Sequence, residues 1–163
     1  MGWVAPRTWV DGEVITAGHL NVQVRDNLRA LYGPLAYAEV TEPVPVTSSN
    51  GGAPTTILTA PPVTCDGVTP IAVEWFAPHV SAASGNVCMV RLYDGQAPAG
   101  AIAYMTAAQI RPVWACARLL PAAGEHVYSV RAWVYPATAL VAITAGAGGP
   151  GEFLPSFLRV RAR

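Results

Sequence analysis

From Glu39 onward, clusters of Gly, Pro, Ser, Asn and Asp cut the chain into short apolar runs. No other feature constrains the fold as strongly. The breaks are Ser48-Ser-Asn-Gly-Gly52, Cys65-Asp-Gly67, Ser81-Ala-Ala-Ser-Gly85, Asp94-Gly95, Pro121-Ala-Ala-Gly124 and Gly146-Ala-Gly-Gly-Pro-Gly151. Residues of these types supply the positive or fixed φ angles that tight turns require. The runs between them predict strands at Glu39–Thr47, Thr55–Thr59, Pro70–Phe76, Asn86–Tyr93, Gly100–Met105, Pro112–Leu119, His126–Tyr135, Leu140–Ala145 and Ser156–Ala162. About eight or nine short strands at this cadence make a sandwich or barrel, and a jelly roll fits the count best.

Ahead of this region the pattern changes. Residues 1–16 read as an extended arm: Pro6 disfavours a helix, and Trp3 and Trp9 offer two large anchors. Thr16 stands where an N-cap belongs. Leu20, Val24, Leu28 and Leu31 follow at helical spacing on one face, and Gly33-Pro34 supply a stop. One amphipathic helix is therefore expected over residues 17–32. A lone helix of this length is marginal in water, so its apolar stripe needs a surface to dock on. The expected organisation is an anchoring segment at 1–34 and a mainly β, jelly-roll-like sandwich at 35–163.

Composition sharpens the question of partners. Hydrophobic residues make up 52% of the 163 and charged residues only 12%, against the usual quarter. Such a chain has more apolar surface than one small monomer readily hides, and association is one remedy. A formal charge of zero gives no general pull toward nucleic acid or acidic lipid. All basic residues are Arg, a bias that a GC-rich genome produces and that also suits interface pairing. In the run His126–Tyr135, Tyr128, Val130, Ala132 and Val134 share one face, while Ser129, Arg131 and Trp133 share the other. The Arg131 and Trp133 face suits a subunit contact, where Trp and Arg are enriched; an Arg lying over a Trp on its own surface is the plainer alternative.

Chemistry-bearing groups are sparse. Cys65, Cys88 and Cys116 form no CxxC pair, and Cys88 and Cys116 are expected as buried free thiols inside apolar strands, with one disulfide left open. His19 sits on the helix as a capping or packing group, and His79 has no partner at metal spacing. No Gly-x-Ser-x-Gly elbow is present, and the Gly146–Gly151 loop lacks the Lys and helix of a P-loop. Asp66, Asp94 and Glu152 form no calcium array. No catalytic residues, cofactor or metal are expected, and enzyme activity is not. Trp75, Tyr93, Trp114, Trp133 and Tyr135 could line a sugar-binding face, but strand positions favour core or interface. Met1–Arg7 lacks the charged start and apolar core of a secretory signal. Pro6 stands where a myristoylation signal wants Ser or Thr, and Gly and Pro interrupt the uncharged run 132–151, so no membrane association is expected.

The phrase Thr8-Trp9-Val10-Asp11-Gly12-Glu13-Val14-Ile15-Thr16-Ala17, followed by His19-Leu20-Asn21 and Val24-Arg25-Asp26-Asn27-Leu28, resembles the N-terminal segment of virion proteins of tailed phages of high-GC hosts. The stretches Leu120–Trp133, Ala145–Gly151 and Leu154–Val160 look like the closing half of small jelly-roll modules in those proteins. A Gly-x-His-x-Tyr phrase recurs there, matched here by Gly124, His126 and Tyr128, which implies a structural role for His126. The resemblance implies a phage structural protein, made in the host cytoplasm. A chain of this length without a coiled-coil shaft or fibre repeat favours a capsid decoration protein bound outside the head to the major capsid protein, and low charge with much apolar surface leads us to expect a trimer. The alternative is a minor tail or fibre protein, contacting tail proteins, whose tip binds host glycans. Trp3, Trp9, Leu20, Val24, Leu28, Leu31, Arg131 and Trp133 are the expected subunit or capsid contacts.

Overall fold

The computed structural model describes residues 7–26, 28, 33–42, 44–80, 87–106, 111–135, 141–144 and 154–163. Among these residues, a short helical segment is followed by twelve strands: β1 (Ala36–Val40), β2 (Val44–Val46), β3 (Thr55–Thr59), β4 (Val63–Asp66), β5 (Ile71–Val80), β6 (Val87–Asp94), β7 (Ala97–Thr106), β8 (Arg111–Leu119), β9 (Ala123–His126), β10 (Tyr128–Tyr135), β11 (Val141–Thr144) and β12 (Ser156–Ala162). The protein is mainly β, as the turn cadence requires.

The pairings follow one rule. β1 pairs with β12, β2 with β11, β3 with β10, β4 with β9, β5 with β8 and β6 with β7, all antiparallel. The chain thus runs out to the β6–β7 hairpin and back as one long ribbon. That hairpin turns at Gly95-Gln96, where Gly95 takes a φ of +56°, the positive value that two-residue loops demand. Further pairings of β12 with β5, β10 with β6 and β11 with β5 fold the ribbon onto itself. The result is a sandwich. One sheet runs β1-β12-β5-β8, with β11 and β2 continuing from the far end of β5, and the other runs β3-β10-β6-β7.

Strict alternation builds the core between the sheets. On β6, Cys88, Val90 and Leu92 are fully buried, and on β10 so are Tyr128, Val130, Ala132 and Val134. From the opposite sheet come Ile71, Val73, Trp75 and Ala77 of β5 and Leu158 and Val160 of β12. Small residues are wedged among large ones, the mixture a close-packed interior needs.

Several expectations are corrected. The run 39–47 is two strands, broken near Glu42, and β1 begins earlier, at Ala36. The run 126–135 also divides, leaving β9 and β10 on either side of Val127. β4 and β9 fall where turns were read, at Cys65-Asp-Gly67 and Pro121–Gly124, because two short strands shield each other in a small ladder. Gly67, with a φ of +84°, makes the turn after β4; a Cβ there would lie 3.0 Å from the Ala123 nitrogen. Cys116 is exposed rather than buried: on β8 it is Val113, Ala115, Ala117 and Leu119 that pack inward. Cys65, Cys88 and Cys116 are all free thiols.

Candidate interaction surfaces

Described residues of the N-terminal segment are tied to one another. Thr16 is the N-cap, extended at φ −90° and ψ 160°, and its hydroxyl accepts from His19 N at 3.2 Å. His19 completes the capping box in place of the usual Glu or Gln, its Nδ1 lying 3.4 Å from Thr16 N. The arm folds back over this start. Arg7 donates from its backbone to Gln23 Oε1 at 3.1 Å, and its guanidinium reaches Glu13 and His19 Nε2. The same guanidinium lies 4.7 Å over Trp9, whose ring meets His19 edge-on.

The helix itself differs from expectation. Among the described residues it is α-helical over Ala17–Leu20 and at Leu28, and π-helical over Asn21–Asp26. A four-residue repeat is compatible with the wider π turn as well as with the α period, so the stripe survives the change. Leu20, Val24 and Leu28 remain 50%, 49% and 48% exposed. Trp9, Val10, Val14, Ile15 and Val22 add further exposed apolar surface. Trp3, Leu31 and the end of the helix lie outside the described residues.

The outward face of β3-β10-β6-β7 carries Arg131 and Trp133, and here the chain supplies their partners. Arg131 donates to Ser129 Oγ at 3.0 Å, to Gln96 Oε1 at 2.7 Å and to the Gly95 carbonyl. Its guanidinium lies 4.5 Å over Tyr93, which it buries, while Arg91 lies 5.1 Å over Trp133. Trp133 also packs beneath the loop after β2: a Cβ on Gly51 would stand 3.1 Å from its ring.

The opposite outward face is different. Tyr37 on β1, Phe157 on β12, Phe76 on β5 and Trp114 on β8 form a row of touching rings across four strands. Successive centroids are 5.9, 5.6 and 5.7 Å apart, and Trp114 also meets Phe157 edge-on at 5.8 Å. Trp114 is 61% exposed and Tyr37 43%. Beside the rings, Glu74 is buried although it points outward, because Arg159 and Arg161 both close over its carboxylate. Arg118 and Cys116 complete the β8 edge; Glu39 lies at the β1 edge and accepts from Tyr37 Oη at 2.7 Å. Neither Glu74 nor the ring row was legible in the sequence, since it takes the register to bring residues as distant as 37, 76, 114 and 157 together.

Other polar groups are committed to structure. His126 Nδ1 lies 2.5 Å from Asp94 Oδ2 and its Nε2 3.0 Å from the Ala122 carbonyl. The Asp94 contact and then that carbonyl raise its pKa. The ring therefore clamps β9 to the β6–β7 hairpin, in keeping with a structural role. Asp66 accepts from the Thr69 hydroxyl and from the amides of Thr69 and Val68, which hold its carboxyl down to about 2. Burial pushes the Cys88 thiol up to about 12 and raises Cys65 as well, so neither is a ready nucleophile. Among the described residues no three His, Cys, Asp or Glu side chains are placed to hold a metal ion, and no helix is long and apolar enough to cross a membrane. No protein-family model and no curated protein matches the chain.

Proposed function

We propose that this protein is a bacteriophage capsid decoration protein, a trimer on the outside of the head whose N-terminal segment docks on the major capsid protein. The observation that carries this reading is the apolar stripe. Leu20, Val24 and Leu28 stand open on a helical segment that is nonetheless capped by Thr16 and strapped by Arg7. A preorganised apolar face costs less to bind than a disordered tail, because part of its ordering entropy is already spent. Burying three such side chains is worth roughly 1.5–3 kcal/mol each.

The body fits the same reading. A ribbon paired from β1–β12 inward to β6–β7 and folded into two sheets, β1-β12-β5-β8 against β3-β10-β6-β7, supports reading the sandwich as jelly-roll-like. A rigid sandwich of this kind is suited to bearing load between capsid subunits under pressure from packaged DNA. The resemblance of residues 8–28 to phage virion segments supports the same assignment.

The test is to label the protein on virions and image them. Many copies over the head are expected. A few copies at the tail would make it a minor tail protein instead, and absence from the particle would overturn the virion assignment altogether.

A further inference from the structure

We propose that His126 is a proton-operated latch. As the charged imidazolium it straps β9 to the end of the sandwich, and loss of that proton releases the strap and uncovers the edge of β4.

The geometry of the ring carries the inference, because both of its nitrogens face acceptors. Nδ1 lies 2.5 Å from Asp94 Oδ2 and Nε2 lies 3.0 Å from the Ala122 carbonyl. A neutral imidazole has one N–H and one lone pair, so it can serve only one of these two oxygens. The other nitrogen would then point its lone pair at an acceptor. Only the doubly protonated ring satisfies both. The ring also lies parallel to that of Tyr128, with centroids 6.1 Å apart and planes 9° apart, which fixes the plane in which the two nitrogens point.

The surrounding groups leave Asp94 to set the charge of the ring. Among the described residues, His126 is the ion-pair partner of Asp94. Tyr128 on β10 and Cys65 on β4 keep their protons, since burial raises both. Val63, the register partner of His126 on β4, carries no charge. Asp66, at the end of β4, turns into the Val68 and Thr69 amides, and Glu125 alternates to the exposed face of β9. Arg131, the cation of β10, is held on the opposite face by Gln96 and the Gly95 carbonyl.

The topology says which element the latch controls. β9 pairs with β4 alone in a two-stranded ladder, and its Ala123, Gly124 and Glu125 are exposed. A ladder this small is marginal without further packing. β4 has that packing, because Val63 and Cys65 belong to the core. The β6–β7 hairpin has its own tie, the Gly95 N–H donating to the Val127 carbonyl at 2.9 Å, which no side-chain proton alters. The bond that depends on the proton is the one at Ala122, immediately before β9. Its loss therefore frees β9 and leaves the hairpin and β4 in place.

Hydrogen exchange of the full chain, corrected for the intrinsic effect of pH, tests the latch amide by amide. Amides in the β4–β9 ladder should open about tenfold or more often at pH 9 than at pH 6, as for the loss of a hydrogen bond to a charged group, while those between β6 and β10 stay unchanged. Nitrogen NMR should show both ring nitrogens of His126 protonated at pH 6. His126→Asn should open at pH 6 as readily as wild type does at pH 9. Asp94→Asn keeps an acceptor but removes the charge, so it should move the midpoint of opening to lower pH, and it keeps the test decisive if His126→Asn folds poorly. Equal ladder protection at pH 6 and pH 9, a single protonated ring nitrogen at pH 6, an unmoved midpoint in Asp94→Asn, or loosening of all strands alike would each overturn the proposal.

Discussion

The sandwich and the N-terminal segment treat their apolar residues in opposite ways. In the sandwich, Leu158, Val90, Leu92 and Val130 have no exposed surface; every strand has a partner, and alternate side chains meet in one core. In the segment before β1, Leu20, Val24 and Leu28 are about half exposed, and the bonds that order them, from Thr16, Arg7 and His19, are local. Exposed apolar residues scattered over a surface need no explanation, but an ordered stripe of them implies something to cover it. On the proposed function, the body carries stability and the segment carries attachment.

Stability should therefore fall most on changes in the body. Leu158→Ala empties a fully buried site and should cost about 2–5 kcal/mol in denaturant unfolding. A cost below about 1 kcal/mol would mean that β12 does not hold the core together. Glu74→Gln removes the charge that Arg159 and Arg161 share. Because both arginines reach solvent, the expected loss is about 1–3 kcal/mol, at the scale of a charged hydrogen bond. Equal stability would show that the outward pocket around Glu74 is not tight.

Tyr128→Phe should go the other way. The Tyr128 hydroxyl is fully buried, without a hydrogen-bond partner among the described residues, and burial raises its pKa. Deleting an unpaired buried hydroxyl should leave stability unchanged or raise it by up to about 1 kcal/mol. A clear loss would reveal a partner for that oxygen.

His126 gives a pH-dependent test within the body. Asp94 and the Ala122 carbonyl raise its folded pKa above the ordinary 6.5, so the clamp contributes fully below that value and its contribution is lost as pH rises through the folded value. The melting temperature of wild type relative to His126→Asn should be greater at pH 6 than at pH 9. A margin that widened with pH would mean the neutral ring is the one that binds.

How much of this was legible in the sequence follows from which forces are local. The Thr16 cap, the Asp94-Gly95 turn and the inward set Tyr128, Val130, Ala132 and Val134 depend on neighbours in the chain, and each stands where the sequence places it. The bounds of β3 and β12 do too. Cys116 was misassigned because its flanking residues, Ala115 and Ala117, are small and apolar; alternation puts it on the face of Trp114 and Arg118, and that charged neighbour was the signal that this face is outward. β4 and β9 were missed because each is four residues long and owes its form to the other. The ring row and the Glu74 cluster arise from pairing between strands far apart in sequence, which no local pattern records.

The smallest expected change in stability belongs to the most direct test of the account. Leu28→Asp places a charge in the open stripe, where no core is disturbed, so the free protein should melt within about 0.5 kcal/mol of wild type. On particles stripped of this protein and reloaded with the variant, occupancy should collapse, because the charge would have to be buried unpaired on docking. Full occupancy by Leu28→Asp, or unfolding of the sandwich by the same substitution, would contradict the assignment of attachment to this segment.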